Sequence, residues 1–315
     1  MTVSEETADI PVRVRSLRLE AERVLSVELE AIDGRLPEWQ PGGHIDLVVP
    51  GAPVRPYSLC GPIDAASYRI AVLLEESSRG GSRAVHERLR PGDTVLIRGP
   101  RTHFLLEPAS EYLFVAGGIG VTPILPMMRA ASVAGIPWTL LYLGSSRSRM
   151  PFLHEIDALE GGSVVVVARD EADRIDLPAE ISARPDALVY ACGPERMLTA
   201  LREQLPEDSG RLRVEYFSAP TVEYEPGGAF RIQLSRSGLE LEVQPDVSVL
   251  EVMREAGIDV LSDCEEGICG SCETAVLDGE VEHRDFVLTA QEKARNDCMM
   301  VCVSRAACPL LVLDA

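Results

Sequence analysis

The sequence predicts three successive folds: an antiparallel β-barrel, a doubly wound parallel α/β domain, and a small mixed segment that carries a cluster of cysteines. Three observations predict this. The apolar pattern changes character near residue 108, a Pro-, Gly- and Glu-rich stretch interrupts the chain at 218–228, and six of the eight cysteines fall in the last 52 positions. A length of 315 residues suits two or three domains.

Residues 1–108 read as short strands (VRVRSLRLE, VLSVELE, HIDLVV, YSLC, YRIAVLL, TVLIRGP) separated by Pro, Gly and Asp, the spacing of a closed antiparallel barrel. From 109 to 217, four apolar runs (YLFVAGG, WTLLYLG, SVVVVARD, ALVYACG) are each followed by a segment of helical period, which predicts a parallel sheet with helices on both faces. Residues 218–228 are expected to be a linker. The remainder, 229–315, opens with a hairpin turning at SRSG and continues into a helix capped by Ser248.

Composition narrows the function. Acidic side chains outnumber basic ones 50 to 30, giving a net charge of −20, and Lys293 is the single lysine. Phosphate backbones are gripped by clustered Lys and Arg, so nucleic acid is excluded as a partner. No run approaches the ~18 apolar residues of a membrane-spanning helix. The acidic start, MTVSEETADI, lacks the features of a secretory signal, so a cytoplasmic location with reduced thiols is expected, and clustered cysteines then read as metal ligands.

Cys264, Cys269 and Cys272 follow the Cys-x4-Cys-x2-Cys spacing of a plant-type [2Fe–2S] site, and Cys302, after 29 intervening residues, supplies a fourth thiolate. Gly267 and Gly270 would let backbone amides approach the sulfur atoms. A zinc site is the alternative, although it ordinarily pairs two short knuckles. Cys298 competes for the fourth place and Cys308 does so less well. Within MMVCVSRAAC alternation places Met300 and Cys302 on one strand face, and Cys298, just before it, could share that face.

Two weaker strings precede the cysteines. Arg55-Pro56-Tyr57-Ser58, with Arg79-Gly80-Gly81-Ser82 one hairpin later, pairs an aromatic ring and a cation with a phosphate cradle at a helix start. Gly117-Gly118-Ile119-Gly120-Val121-Thr122-Pro123 and Cys192-Gly193-Pro194 each end a strand and begin a helix, where parallel sheets bind ligands.

In this order, and with PRTHF at 100–104 and MVCVSRA around Cys302, these strings resemble the phthalate dioxygenase reductase family of the ferredoxin–NADP reductase superfamily. The resemblance spans essentially the whole chain. It implies an FMN-binding barrel over 1–108, with FAD less favoured, an NAD(P)H-binding domain over 109–217, and a β-grasp [2Fe–2S] ferredoxin domain over 229–315. Arg55, Tyr57 and Ser58 would contact the flavin, and Gly80, Gly81 and Ser82 its phosphate. Gly117, Gly118, Gly120, Thr122 and Pro123 would line the dinucleotide, and Cys192, Gly193 and Pro194 would place the nicotinamide. Phe217 resembles the aromatic held against the flavin, or is a core ring at a domain edge. Ser58, Cys192 and Phe217 are the implied catalytic residues, and Cys264, Cys269, Cys272 and Cys302 the implied metal ligands.

One departure concerns the strand ending at Gly144. No acidic residue stands there to take a ribose 2′-hydroxyl, and Arg147 or Arg149 could meet a 2′-phosphate, so NADH and NADPH both remain open. The implied activity is that of a monomeric electron-transfer reductase feeding a Rieske-type oxygenase. A separate cytochrome P450 is the alternative acceptor, and a flavin and iron–sulfur redox sensor the alternative of another class. Residues 229–315 hold 17 acidic and 7 basic side chains, so Asp263, Glu265, Glu266 and Glu273 are expected to steer a basic partner.

Overall fold

A computed structural model of the chain describes residues 9–76, 80–171, 175–205, 210–222, 224 and 227–315. Arg79, most of the acidic start and part of the expected linker lie outside them. The chain divides into two compact units, Met1–Phe217 and Ser218–Ala315.

The first unit opens on strands β1 (Ile10–Ala21), β2 (Val24–Ala31), β3 (Gly43–Val48), β4 (Arg55–Ser58), β5 (Ser67–Leu73) and β6 (Thr94–Thr102), with helix α1 (Gly81–Arg88) between the last two. Their order is β4-β3-β6-β1-β2-β5, and every pair is antiparallel. A bridge between Leu59 and Ile70 joins the two ends of that order, so the barrel closes. Closure removes the exposed sheet edges. Alternate residues point inward, and Val12, Leu29, Ile45, Leu59, Ile70 and Ile97 fill the interior.

The same unit continues as β7 (Tyr112–Gly117), α2 (Val121–Ala134), β8 (Trp138–Gly144), α3 (Leu153–Asp157), β9 (Gly162–Ala168), α4 (Leu177–Ser182), β10 (Leu188–Cys192), α5 (Glu195–Gln204) and β11 (Leu212–Glu215). These strands are parallel, in the order β11-β10-β7-β8-β9. The chain winds outward from β7 in one direction and returns to wind outward from β10 in the other. The winding therefore reverses between β7 and β10, and a crevice forms at the carboxyl ends of these strands. β7 is buried along its whole length, as its unbroken apolar sequence requires.

Barrel and parallel sheet share a core, because Val24, Cys60, Ala71 and Phe104 pack into the cluster built on Tyr112 and Phe114. Beside it, Glu155 accepts from Arg69 at 2.7 and 2.9 Å and also binds Arg129. Both arginines also reach the carbonyl of Cys60, at 2.9 and 3.1 Å. One carboxylate thus joins β5 to helices α2 and α3.

The second unit contains β12 (Phe230–Leu234), β13 (Glu240–Val243), α6 (Val249–Glu255), β14 (Glu273–Asp278), β15 (Val281–Glu282), α7 (Ala290–Arg295), β16 (Cys298–Met300), β17 (Arg305–Ala306) and β18 (Leu310–Leu313). The main sheet runs β13-β12-β18-β14-β16 with β12 and β18 parallel, and β15 pairs with β17. Helix α6 turns Val249, Leu250 and Met253 onto the sheet, and the Ser248 hydroxyl caps it by accepting from Glu251 N–H at 3.1 Å. Strand β16 stops at Met300. The reading of MMVCVSRAAC as one strand is therefore corrected: Cys302 sits in the turn that follows, stabilised by bonds from Val303 and Ser304 N–H to the carbonyl of Met300. Among the described residues, no helix is long and apolar enough to cross a membrane.

Candidate functional site

Strand β4 carries Arg55, Tyr57 and Ser58 along the barrel edge, and the loop before α1 lies against it. A Cβ on Gly81 would stand 2.7 Å from Cγ of Arg55, so the glycine is what permits the approach. Gly80 takes φ +113° at the helix N-terminus, with no side-chain cap. The first turn of α1 thus lies against the Arg55 side chain, whose guanidinium donates to the carbonyl of Val54 at 2.8 Å. Ser82 Oγ accepts from Glu75 N–H at 3.4 Å, which ties the loop to the strand before it. Burial pushes the Tyr57 phenol up to about 12, against the opposing effect of Arg55, so the ring stays neutral.

At the crevice, the two glycine-bearing loops explain each other. A Cβ on Gly117 would meet Pro194 at 2.5 Å, and one on Gly120 would meet the carbonyl of Cys192 at 2.2 Å. Their bareness lets the loops after β7 and β10 touch. Gly118 differs: with φ +55° and nothing within 4 Å of its Cβ position, it leaves an open backbone face. Thr122 and Pro123 are buried in the first turn of α2, where the Thr122 hydroxyl donates to Ile119 O at 3.0 Å. Arg147 is exposed and donates to Glu171 at 3.1 Å. Phe217 is 44% exposed, so it is a surface ring and not a core aromatic.

The residue that sequence reading missed is Glu215, the last of β11. Its carboxylate accepts from Ser58 Oγ at 3.3 Å and lies 4.0 Å from Cys192 Sγ. Burial pushes this carboxyl up to about 8, partly offset by the Ser58 hydrogen bond. Burial also pushes the Cys192 thiol well up, and the neighbouring carboxylate adds to the effect. Both groups therefore hold protons near neutrality. The one sequence signal was an acidic residue two positions before Phe217 at the end of a parallel strand.

In the second unit Cys264, Cys269, Cys272 and Cys302 are all buried. They fall into two pairs. Cys269 hydrogen-bonds to Cys264 and lowers its pKa, and Cys272 does the same for Cys302, while both donors are raised. Backbone amides also converge on sulfur, with Glu266 N–H donating to Cys264 Sγ at 3.3 Å and Gly267 N–H to Cys302. Among the described residues no three His, Cys, Asp or Glu side chains surround a single ion position. Two pairs of thiols suit two irons, each of which would be completed by two thiolates. Cys298 lies on β16 opposite Ala275, where burial pushes its thiol up to about 12.

Gly267 sets the shape of this loop at φ +71°, where a Cβ would come within 2.6 Å of Val303. Its carbonyl accepts from Phe286 N–H at 2.9 Å. The neighbouring Asp285 is fully buried and accepts from Val287 and Leu288 N–H at 3.2 and 2.8 Å. A buried turn therefore holds the cysteine loop from behind.

Residues 232–307 match the model of the 2Fe-2S iron-sulfur cluster binding domain. Over 318 residues the chain is 40% identical to a putative toluene-4-sulfonate monooxygenase system reductase subunit of Comamonas testosteroni, covering 98% of this chain and 99% of the relative. It is 35% identical to the phthalate dioxygenase reductase of Burkholderia cepacia over the full length of both. A solved phthalate dioxygenase reductase, described as a modular structure for electron transfer from pyridine nucleotides to [2Fe-2S], superposes with a TM-score of 0.69 at 33% identity and 98% coverage of each chain. An intact type IV self-sufficient cytochrome P450 monooxygenase gives a TM-score of 0.92 at 43% identity, and the whole of this chain spans 43% of that one. With its closed barrel, its doubly wound sheet and its two pairs of thiols, the chain belongs to the phthalate dioxygenase reductase family and is an NAD(P)H-dependent flavin iron–sulfur oxidoreductase.

Proposed function

We propose that the chain is the reductase component of a multicomponent oxygenase, taking electrons from NAD(P)H and delivering them one at a time to a Rieske-type oxygenase. The observation that carries this reading is the set of four buried cysteines, with a backbone amide turned onto the sulfur of Cys264, in a chain that also forms a glycine-lined crevice. When bound, FMN supplies the conversion of a two-electron hydride into single electrons, and the [2Fe–2S] cluster supplies a one-electron relay.

The chain's own residues bind and orient these groups. Residues 1–108 hold the flavin: Arg55, Tyr57 and Ser58 line it, and Gly80, Gly81 and Ser82 receive a terminal phosphate at the start of α1, which favours FMN. Residues 109–217 hold the nucleotide, with Gly118 open to the pyrophosphate and Cys192, Gly193 and Pro194 beside the nicotinamide. Ser58, Glu215 and Cys192 form a connected polar group at that point, and Glu215 holds a proton there. Residues 229–315 present Cys264, Cys269, Cys272 and Cys302 to the irons, and 218–228 link the two units. The protein works in the cytoplasm as a monomer.

Replacing Cys302 with Ser tests the proposed route. NADH-driven reduction of cytochrome c is expected to collapse while reduction of ferricyanide, which needs only the flavin, continues. Full cytochrome c activity without a cluster would contradict the route. A cytochrome P450 is the second acceptor reading, favoured by the similarity to part of a self-sufficient P450.

A further inference from the structure

The loop after β8 carries Arg147 and Arg149 but no acidic residue that could take a ribose hydroxyl. A cleft of about 410 Å³ opens beside it, lined by Gly118, Gly144 and Ser145 from the sheet and by Glu22, Glu75 and Arg149 among its charged groups. Glu22 comes from a different element, the tight turn between β1 and β2 of the barrel. Its N–H donates to Ser148 O at 2.8 Å, and its carboxylate accepts from Arg149 at 3.3 Å and from the Ser148 hydroxyl at 3.4 Å.

The turn is clipped in place by a backbone bond, which holds Glu22 at the cleft while its carboxylate stays half exposed. Arg147 is occupied by Glu171 at 3.1 Å. Arg23, also in the lining, is committed to the carbonyl of Leu74 at 2.7 and 3.1 Å and to Glu76 at 2.8 Å. Three carboxylates (Glu22, Glu75, Glu76) against two guanidiniums (Arg23, Arg149) leave the lining with one net negative charge. A 2′-phosphate would bring about two further negative charges into that field.

We propose that Glu22 is the residue that selects NADH over NADPH: it accepts a hydrogen bond from the ribose 2′-hydroxyl and repels a 2′-phosphate while keeping Arg149 neutralised. The barrel thereby supplies the acid that the nucleotide-binding strand lacks. This rests on the reading of the cleft as a pyridine-nucleotide site.

The test uses full-length protein with flavin and cluster bound. Specificity constants for NADH and NADPH are measured with ferricyanide, and binding of 5′-AMP and 2′,5′-ADP is measured by calorimetry. Wild-type protein is expected to favour NADH and 5′-AMP. Glu22→Gln is expected to raise the NADPH/NADH and 2′,5′-ADP/5′-AMP ratios by about tenfold or more, and adding Arg149→Gln to cancel the gain. Glu22→Ala repeats the test with the side chain removed, and bound-flavin absorbance reports that each variant is folded. Wild-type preference for NADPH, or unchanged ratios in both Glu22 variants, would overturn the proposal. Absence of ferricyanide reduction with either nucleotide would instead sink the reductase reading, and the calorimetric ratios would still decide the role of Glu22.

Discussion

The hydroxyl of Ser58 donates to the carboxylate of Glu215 across 3.3 Å, joining the barrel edge to the last strand of the parallel sheet through residues 157 apart in sequence. Glu215 keeps its proton in the folded chain up to about pH 8 and loses it near 4.5 when unfolded. Between those values the unfolded chain binds fewer protons, so the stability contributed at this site falls as pH rises. Thermal denaturation of the wild type and of Glu215→Gln across about pH 5 to 8 should show a flatter pH dependence for the variant. In Ser58→Ala, loss of the bond that lowers the carboxyl should move the alkaline end of the wild-type profile to higher pH.

Cys302 and Cys298 separate cleanly by mutation. Cys302→Ser removes one of a thiol pair and should abolish the visible absorbance and circular dichroism of the cluster, or leave it at a small fraction of wild type. Cys298→Ser changes a strand residue facing Ala275 and should leave the cluster spectrum intact. The opposite pattern would assign the fourth ligand to Cys298.

Charge on the second unit predicts salt dependence. Glu265 already accepts from Arg254 at 2.7 Å, so the steering field comes from the whole acidic unit and not from that side chain alone. Electron delivery to a basic acceptor such as cytochrome c should slow by roughly tenfold as ionic strength rises from about 20 mM to about 500 mM, with ferricyanide reduction following a different trend. A flat cytochrome c rate would remove the acidic surface from the account.

Glu155 holds two arginines at the junction of barrel and sheet. Glu155→Gln would remove the carboxylate that Arg69 and Arg129 share, leaving Arg69 only the more weakly coupled Glu20 and Glu28. Because the three side chains are between 19% and 27% exposed, the expected loss is about 1–3 kcal/mol, below that of a fully buried pair. Chemical denaturation of flavin-loaded protein would measure it.

Much of the architecture is legible in one pass along the chain because each block has its own period. Alternation marks the barrel strands, unbroken apolar runs mark the parallel strands, and the spacing of Cys264, Cys269 and Cys272 marks the metal loop. What escaped is what depends on distant partners. Glu215 and Glu22 are ordinary acidic residues until the fold sets them against Ser58, Cys192 and Arg149. Alternation misled at Cys302, because a strand ending at Met300 cannot carry its side-chain rhythm into a turn. The spacing of the crevice glycines did not show that Gly117 and Gly120 are also bare so that two loops can meet, while Gly118 keeps its Cβ side open.

The split origin of the four thiols has a bearing on how the second unit is assembled and kept. Three come from one loop and the fourth from a turn beyond β16, so iron bound across all four would act as a cross-link that closes the chain from Cys264 to Cys302. Closing a loop of that length restricts the unfolded chain by about 4 kcal/mol on a chain-entropy scale. A unit so closed would be held shut by its inorganic core, and oxidative loss of iron would expose it to proteolysis as well as silence it.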